Sequence, residues 1–337
     1  MVDPAFWRGR RVLLTGHTGF KGSWLMLWLQ AMGARVFGLS DATHPLFVQL
    51  GFDAPSLADV RSQEDVARCM EEAAPDVVLH LAAQSLVRVG YEAPIATWDT
   101  NVMGTLTVLE ALRGRSCSVV VVTTDKVYEN VEDGRPFVET DRLGGHDPYS
   151  ASKAAAETCV DSFRKSFGGP LRIATARAGN VIGGGDWAKD RIVPDLVRAR
   201  RDGSSLEVRN PDATRPWQHV LDPLAGYLTL AQALSDGAPV EGAFNFGPDA
   251  DAERPVRDLI EAATALWPGA WHEATDRGPH EAGRLTLSSA KARACLGWAP
   301  RWDFAETVAR TIHWYKTVEA GADPKAVTLE QIQAFTG

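Results

Sequence analysis

The chain has 337 residues, 45 % of them hydrophobic and 23 % charged, with a formal net charge of −8. That composition suits a globular enzyme with room for one large α/β domain, or for a domain with an elaborated C-terminal half. The acidic balance argues against general binding to nucleic acid or to an anionic membrane, and no apolar run approaches the roughly 20 residues that span a bilayer.

The elements follow one another as apolar strands and amphipathic helices. Residues 11–15 read as a short buried strand, followed by a glycine turn and a helix around 20–32. A second strand is expected at 35–40, a short third at 57–60, and a helix near 63–73 leads to a fourth strand at 76–80. A long helix near 95–112, a fifth strand at 118–123, a helix from 148 toward 167 and a sixth strand at 171–177 complete the series. Strands alternating with helices imply a Rossmann-type, doubly wound parallel sheet with helices on both faces. Beyond about residue 179 the pattern breaks into glycine-, proline- and tryptophan-rich loops between shorter helices. We therefore expect a dinucleotide-binding domain over 1–178, its sheet completed by later segments, and mainly a smaller substrate-binding lobe over 179–337, with a soft boundary. The N-terminus carries an early acid and no apolar core, so no signal peptide is expected. Four cysteines (Cys69, Cys117, Cys159, Cys295) have no metal-ligand spacing, none of the eight histidines forms an HExxH pair, and a cytoplasmic, metal-free protein is expected.

Chemistry is carried by two constellations. In the first, Gly16-His17-Thr18-Gly19-Phe20-Lys21-Gly22 joins the first strand to the first helix. Gly16 permits the tight turn, Gly19 lets backbone approach a pyrophosphate, and Gly22 allows close helix–strand packing, with Thr18 and Phe20 beside them. The uncapped helix start offers N–H groups and a positive dipole end to phosphates. Asp41, just past the second strand, is placed to bind a ribose and disfavour a 2′-phosphate, which selects NAD over NADP. Asp59 and Val60 are placed to reach the adenine edge; alternatively either aspartate simply closes a turn. Leu81-Ala82-Ala83-Gln84 gives a small-residue loop across which a cofactor can lie, and Thr123 ends the fifth strand. Asn101, polar on an apolar helix, is either part of a proton relay or a buried amide satisfied by backbone.

The second constellation is Tyr149 with Lys153, read together with Thr124-Asp125-Lys126. Tyrosine and lysine four apart share one helix face. There an ammonium can hold a nicotinamide ribose and stabilise a tyrosinate, lowering a phenol of ordinary pKa about 10 toward neutrality.

These motifs, with Asn101-Val-Met-Gly-Thr105, Tyr128-Glu-Asn130, Arg177-Ala-Gly-Asn-Val-Ile-Gly-Gly-Gly-Asp-Trp187 and Ala213-Thr-Arg-Pro-Trp-Gln-His-Val220, resemble the extended short-chain dehydrogenase/reductases that act on nucleotide sugars. Within them the blocks are most similar to the CDP-glucose 4,6-dehydratases, from Trp7 to about Tyr315, although Val127 stands where cysteine is expected. The resemblance implies dehydration of the sugar by internal hydride transfer through NAD, giving a 4-keto-6-deoxy sugar nucleotide. Tyr149 would take the O4 proton, Thr124 would bond O4, Asp125 would protonate the leaving O6, and Lys126 would remove the C5 proton. An unperturbed lysine is charged at neutral pH, so the last role is the most demanding, and Glu129 or Tyr128 are alternatives. Asn180 would contact the diphosphate. Arg209 and Arg215 would pair with phosphates or, alternatively, form surface ion pairs. Trp187 and Trp217 would line the nucleotide pocket, and His280 would lie in a loop over the nucleotide. The resemblance also implies a homodimer built on the helices near 95–112 and 148–167. A 4-epimerase, or an NAD or sugar-nucleotide sensor without catalysis, are the competing readings. Asp125-Lys126 counts against the first and the intact Tyr149/Lys153 pair against the second.

Overall fold

The computed structural model describes residues 2–275 and 283–337. Its centre is a six-stranded sheet of β1 (Arg11–Thr15), β2 (Arg35–Leu39), β3 (Val77–His80), β4 (Cys117–Val122), β5 (Leu171–Arg177) and β6 (Gly242–Asn245). The strand order is β6-β5-β4-β3-β1-β2, with every pairing parallel.

Side chains alternate across this sheet, so consecutive residues of one strand enter opposite cores. Val12, Leu14, Leu79, Val120, Val122 and Ala174 face one core, shared with α1 (Phe20–Ala31), α6 (Leu221–Ser235), α8 (Phe304–Glu319) and α9 (Pro324–Thr336). Leu13, Val78, Val119, Val121 and Ile173 face the other, shared with α2 (Gln63–Ala73), α3 and α4 (Pro148–Phe167). Burying each such side chain contributes about 1.5–3 kcal/mol. Strands apolar at every position are therefore what a sheet covered on both faces demands.

α3 is a composite of Pro94–Trp98, a π-turn over Asp99–Met103, and Gly104–Ala111. The π-turn inserts Asn101, fully buried, between α3 and α4. α4 begins where the sequence demands it: the Asp147 carboxylate accepts from Ser150 N at 3.0 Å, and Pro148 occupies the first turn.

Two strand expectations change. Residues 57–60 form no strand. Ala58 and Val60 are buried, but Ala58 N is spent on Ser40 O and Asp59 N on the Asp65 carboxylate, so no ladder can run. The sixth strand of the sheet is instead β6, paired with β5 from far along the chain. The rest of the second half holds α5 (Ile192–Arg201), α7 (Val256–Leu266) and, among the described residues, three small two-stranded sheets, one pairing Ser205–Val208 with Ala270–Glu273. Since α6 packs on β4 and β5 while β6 extends the sheet, the two halves share one core.

Candidate active site

The C-terminal ends of the strands open into one cleft of about 960 Å³. Its position is the switch point of the sheet, where β1 and β3 lead their connections in opposite directions.

The first wall is the glycine turn after β1 and the loop after β3. Gly16 has φ +70°, and a methyl group there would stand 2.8 Å from Ala82 N; one on Gly22 would stand 2.1 Å from Gly16 O. Both glycines are therefore required by contact, and Gly16 by conformation as well. Gly19 caps α1 without a side-chain hydrogen bond, leaving the helix start open to the cleft. Thr18, Phe20, Asp41, Val60 and residues Leu81 to Gln84 line the same wall.

The catalytic candidates come from the end of β4 and the first turns of α4. Thr124, Asp125 and Lys126 follow β4 in a tight turn, with the Thr124 hydroxyl accepting from Lys126 N at 3.3 Å. That hydroxyl donates to Asp125 Oδ1 at 2.9 Å and hydrogen-bonds Tyr149 on α4. Asp125 Oδ2 is buried without a partner. Burial pushes the Tyr149 phenol up to about 12, against the pull of Thr124. The expected lowering by Lys153 is absent because Lys153 Nζ donates to Val122 O at 3.1 Å. Burial lowers Lys153 itself to about 8, with Glu157 opposing. Glu157 lies one turn further along α4, paired with Arg177 at 2.7 Å and accepting from Thr123 and Thr175. Thr123 lines the cleft, but its hydroxyl is committed to that carboxylate.

The opposing wall is ionic. Asn180 enters at φ +48°, a conformation that side chains adopt at a cost of about 1–3 kcal/mol. Arg191 bridges Asp186 at 2.8 Å and Ser85 Oγ at 3.2 Å. Asp190 lies between Arg88 (3.2 Å) and Arg209 (3.5 Å). Arg215 is buried and donates to Thr214 O and Gly283 O. Trp187 and Trp217 line this wall with their indole N–H groups spent on Gln49 and Arg254 O.

Comparison with known proteins fits this arrangement. Residues 12–247 match the model of the NAD dependent epimerase/dehydratase family. The chain belongs to this family. It is 43% identical to the CDP-glucose 4,6-dehydratase of Salmonella typhimurium, over 99% of this chain and 98% of that one. Identity is 30% to a dTDP-glucose 4,6-dehydratase of Xanthomonas campestris, covering 90% and 93% of the two chains. Among solved structures, the dTDP-glucose 4,6-dehydratase DesIV of Streptomyces venezuelae, with NAD and TYD bound, superposes with a TM-score of 0.79 at 26% identity, covering 94% and 99% of the two chains. The UDP-glucose 4-epimerase of Thermus thermophilus in complex with NAD gives 0.77 at 28% identity, covering 91% and 99%.

The first wall suits the dinucleotide of the family. A glycine cradle that a Cβ would fill and an uncapped helix start are what a pyrophosphate needs. Two residues expected to touch the cofactor do not line the cleft. The Asp59 carboxylate turns to Arg61, 2.6 Å away, because its own backbone is folded into the start of α2. Asn101 accepts from Gln84 N at 2.9 Å and donates to Gln84 O and Ser152 Oγ, so its amide is satisfied inside the protein. His280 lies outside the described residues. Lys21 was missed. It lines the cleft on the first turn of α1, donates to Tyr227 Oη at 3.3 Å, and is lowered to about 7 by burial, then by Arg191. Its sequence signal is a charge inside a glycine turn whose neighbours are small or apolar.

Proposed function

We propose that this chain is a nucleotide-sugar 4,6-dehydratase that converts CDP-glucose to CDP-4-keto-6-deoxyglucose and water. The observation that carries this reading is Asp125, a buried carboxylate with one unpartnered oxygen, coupled through Thr124 to Tyr149 in a cleft that also holds Lys126. Epimerisation at C4 needs the Tyr149/Lys153 pair alone; elimination needs a further acid and base, the roles we give to Asp125 and Lys126.

NAD, when bound, supplies the acceptor for the C4 hydride, its return to C6, and a positive ring charge. Tyr149 takes the O4 proton as C4 becomes a ketone, with Thr124 bonded to O4. Since burial holds the phenol near 12 and Lys153 is engaged with Val122 O, Tyr149 becomes a base only when further positive charge enters the cleft. The 4-ketone acidifies C5–H. Lys126 removes that proton while Asp125 protonates the departing O6 hydroxyl, so one water leaves. The proton at C5 is then restored, and the sugar ends with no net change in oxidation state. Arg209, Arg215 and Asn180 hold the diphosphate.

We also propose that two copies pair through α3 and α4. Ile95 (85 % exposed), Trp98 and Met103 present an apolar face on α3, which packs along α4. The four cysteines are unpaired, which suits a reducing cytoplasm.

Mass spectrometry of CDP-glucose incubated with the protein and NAD tests the activity. Loss of one water without net NADH supports dehydration. An isomer of unchanged mass would replace this reading with epimerisation. Light scattering at micromolar concentration should give twice the chain mass, and a monomer would refute the pairing.

A further inference from the structure

The cofactor-facing loop after β3 is held by a chain of hydrogen bonds that the proposed chemistry does not use. Thr15 ends β1, and its Oγ1 accepts from Leu81 N and Ala82 N, both at 3.1 Å. It also lies 2.7 Å from His80 Nδ1. His80 Nε2 lies 3.1 Å from Thr105 Oγ1, which donates to Asn101 O in the π-turn at 2.7 Å. Asn101 grips both backbone polar groups of Gln84 and donates to Ser152 Oγ, which in turn donates to Tyr149 O. Thr15, His80, Thr105, Asn101 and Ser152 are all buried.

Proton counting leaves this chain one orientation. A hydroxyl has one hydrogen and two acceptor sites. Thr105 Oγ1 has spent its hydrogen on Asn101 O, so it can only accept from His80 Nε2, and Thr15 Oγ1, which takes Ala82 N and shares Leu81 N with its own carbonyl oxygen at 3.2 Å, gives its hydrogen to His80 Nδ1. His80 Nδ1 is then an acceptor and Nε2 carries the ring proton. That proton meets Thr105 Oγ1, whose own hydrogen is committed to Asn101 O. A second proton on His80 would set two donors facing each other, and burial accordingly drives the imidazole down to about 3.

We propose that His80, as the neutral Nε2–H tautomer, is a positioning residue for NAD, fixing the loop of Leu81 to Gln84 from both ends. One end is tied through Thr15 to β1, the other through Thr105 and Asn101 to α3 and to the helix carrying Tyr149. The loop in turn backs the glycine turn, since Gly16 touches Ala82 so closely that no Cβ fits between them. His80 touches neither cofactor nor substrate. Its effect is on how well the cofactor seat is formed before NAD arrives.

The inference rests on the NAD reading, and the test separates the two. NAD is titrated calorimetrically into nucleotide-free wild type, Thr15→Val, Thr105→Val and the double variant, with melting temperatures recorded for each. Valine keeps the shape of threonine, and neither threonine contacts the other except through His80. Each single variant should weaken NAD binding about tenfold, the scale of one buried hydrogen bond lost. The double variant should lose little more than the worse single, because both cut the same chain. His80→Gln, which keeps an acceptor and a donor, should recover part of the affinity that His80→Leu loses. Losses that add independently, or melting temperatures that fall while NAD affinity holds, would overturn the proposal. A wild type that binds no NAD would instead sink the functional reading.

Discussion

The two walls of the cleft are built from opposite materials. The wall formed by the ends of β1 and β3 is made of glycines, backbone amides and neutral hydrogen bonds, with Gly16 against Ala82 and Thr15 against His80. The wall formed by residues 180–215 is made of ion pairs, Asp186 with Arg191 and Asp190 with Arg88 and Arg209. The first wall selects by shape and tolerates no added atom. The second selects by charge and can rearrange its partners when an anion arrives. On the proposed reading, a dinucleotide seat and a diphosphate seat face each other, with Tyr149 and Asp125 between them.

The sharpest way to break the comparison is at the point between the walls. Tyr149→Phe keeps the buried ring and should leave the fold and both seats intact, yet lower turnover about 10³-fold, the usual scale for losing a positioned acid–base group. Single-turnover conversion of the nucleotide sugar measures it, and near-normal turnover would remove Tyr149 from the chemistry. Gly179→Ala tests the seam itself. Its new Cβ would sit 1.7 Å from Asp125 Oδ2, so the carboxylate must move. We expect turnover to fall about 10²-fold with NAD affinity retained, since the displaced group is an acid and not part of the cofactor seat. Equal loss of NAD binding would show that the two walls are not separable there.

A smaller effect tests a cation built into the otherwise neutral wall. Lys21 is held near 7 when folded, against an ordinary value of 10.5 when unfolded. The unfolded chain therefore binds more protons between about 7 and 10.5, and this group's contribution to stability rises with pH across that window. Below 7 the full penalty of a buried ammonium is present. Lys21→Met should melt higher than wild type at pH 7, and the gap should shrink toward pH 9.5. Lys153, lowered to about 8, acts with the same sign but is present in both proteins. A gap that stays constant with pH would show that Lys21 is well solvated.

The smallest expected change lies in the ionic wall. Asp190→Asn releases Arg88 and Arg209 from a competing carboxylate and should lower KM for the nucleotide sugar about threefold at low salt, with the gain fading as salt is raised. A KM that rises instead would make Asp190 a support for the arginines and not their placeholder.

How much of this could be read from sequence follows the same division. β1, β3, β4 and β5 are short stretches rich in β-branched and apolar residues bounded by turns, and their length and flanks identify them. The Tyr149/Lys153 pair stands out because its spacing is local, whereas Thr124 to Lys126 take their roles from the family resemblance and not from their spacing. Residues 57–60 misled because burial of Ala58 and Val60 imitates a strand, while the amides that would make a ladder are spent elsewhere. β6 was illegible because Gly242-Ala-Phe-Asn245 has one large apolar side chain and a partner known only from the fold. Lys21 acquires meaning from Arg191 and Asp125, which the fold brings to it from distant positions. Asp59 and Asn101 take the second of the two readings the sequence leaves open, a carboxylate closing a turn and a buried amide, because the direction of each side chain is set by its neighbours.

The place of β6 also bears on how the molecule is made. Its only neighbour in the sheet is β5, and between the two strands the chain builds most of the ionic wall and all of α6. On the ribosome, therefore, the sheet waits with an open edge at β5 until residue 245 has emerged, even though α6 is synthesised before it. An exposed parallel edge of this kind pairs readily with the wrong chain. A chain that stops before Asn245 keeps that edge open and is expected to aggregate rather than to form a smaller working domain.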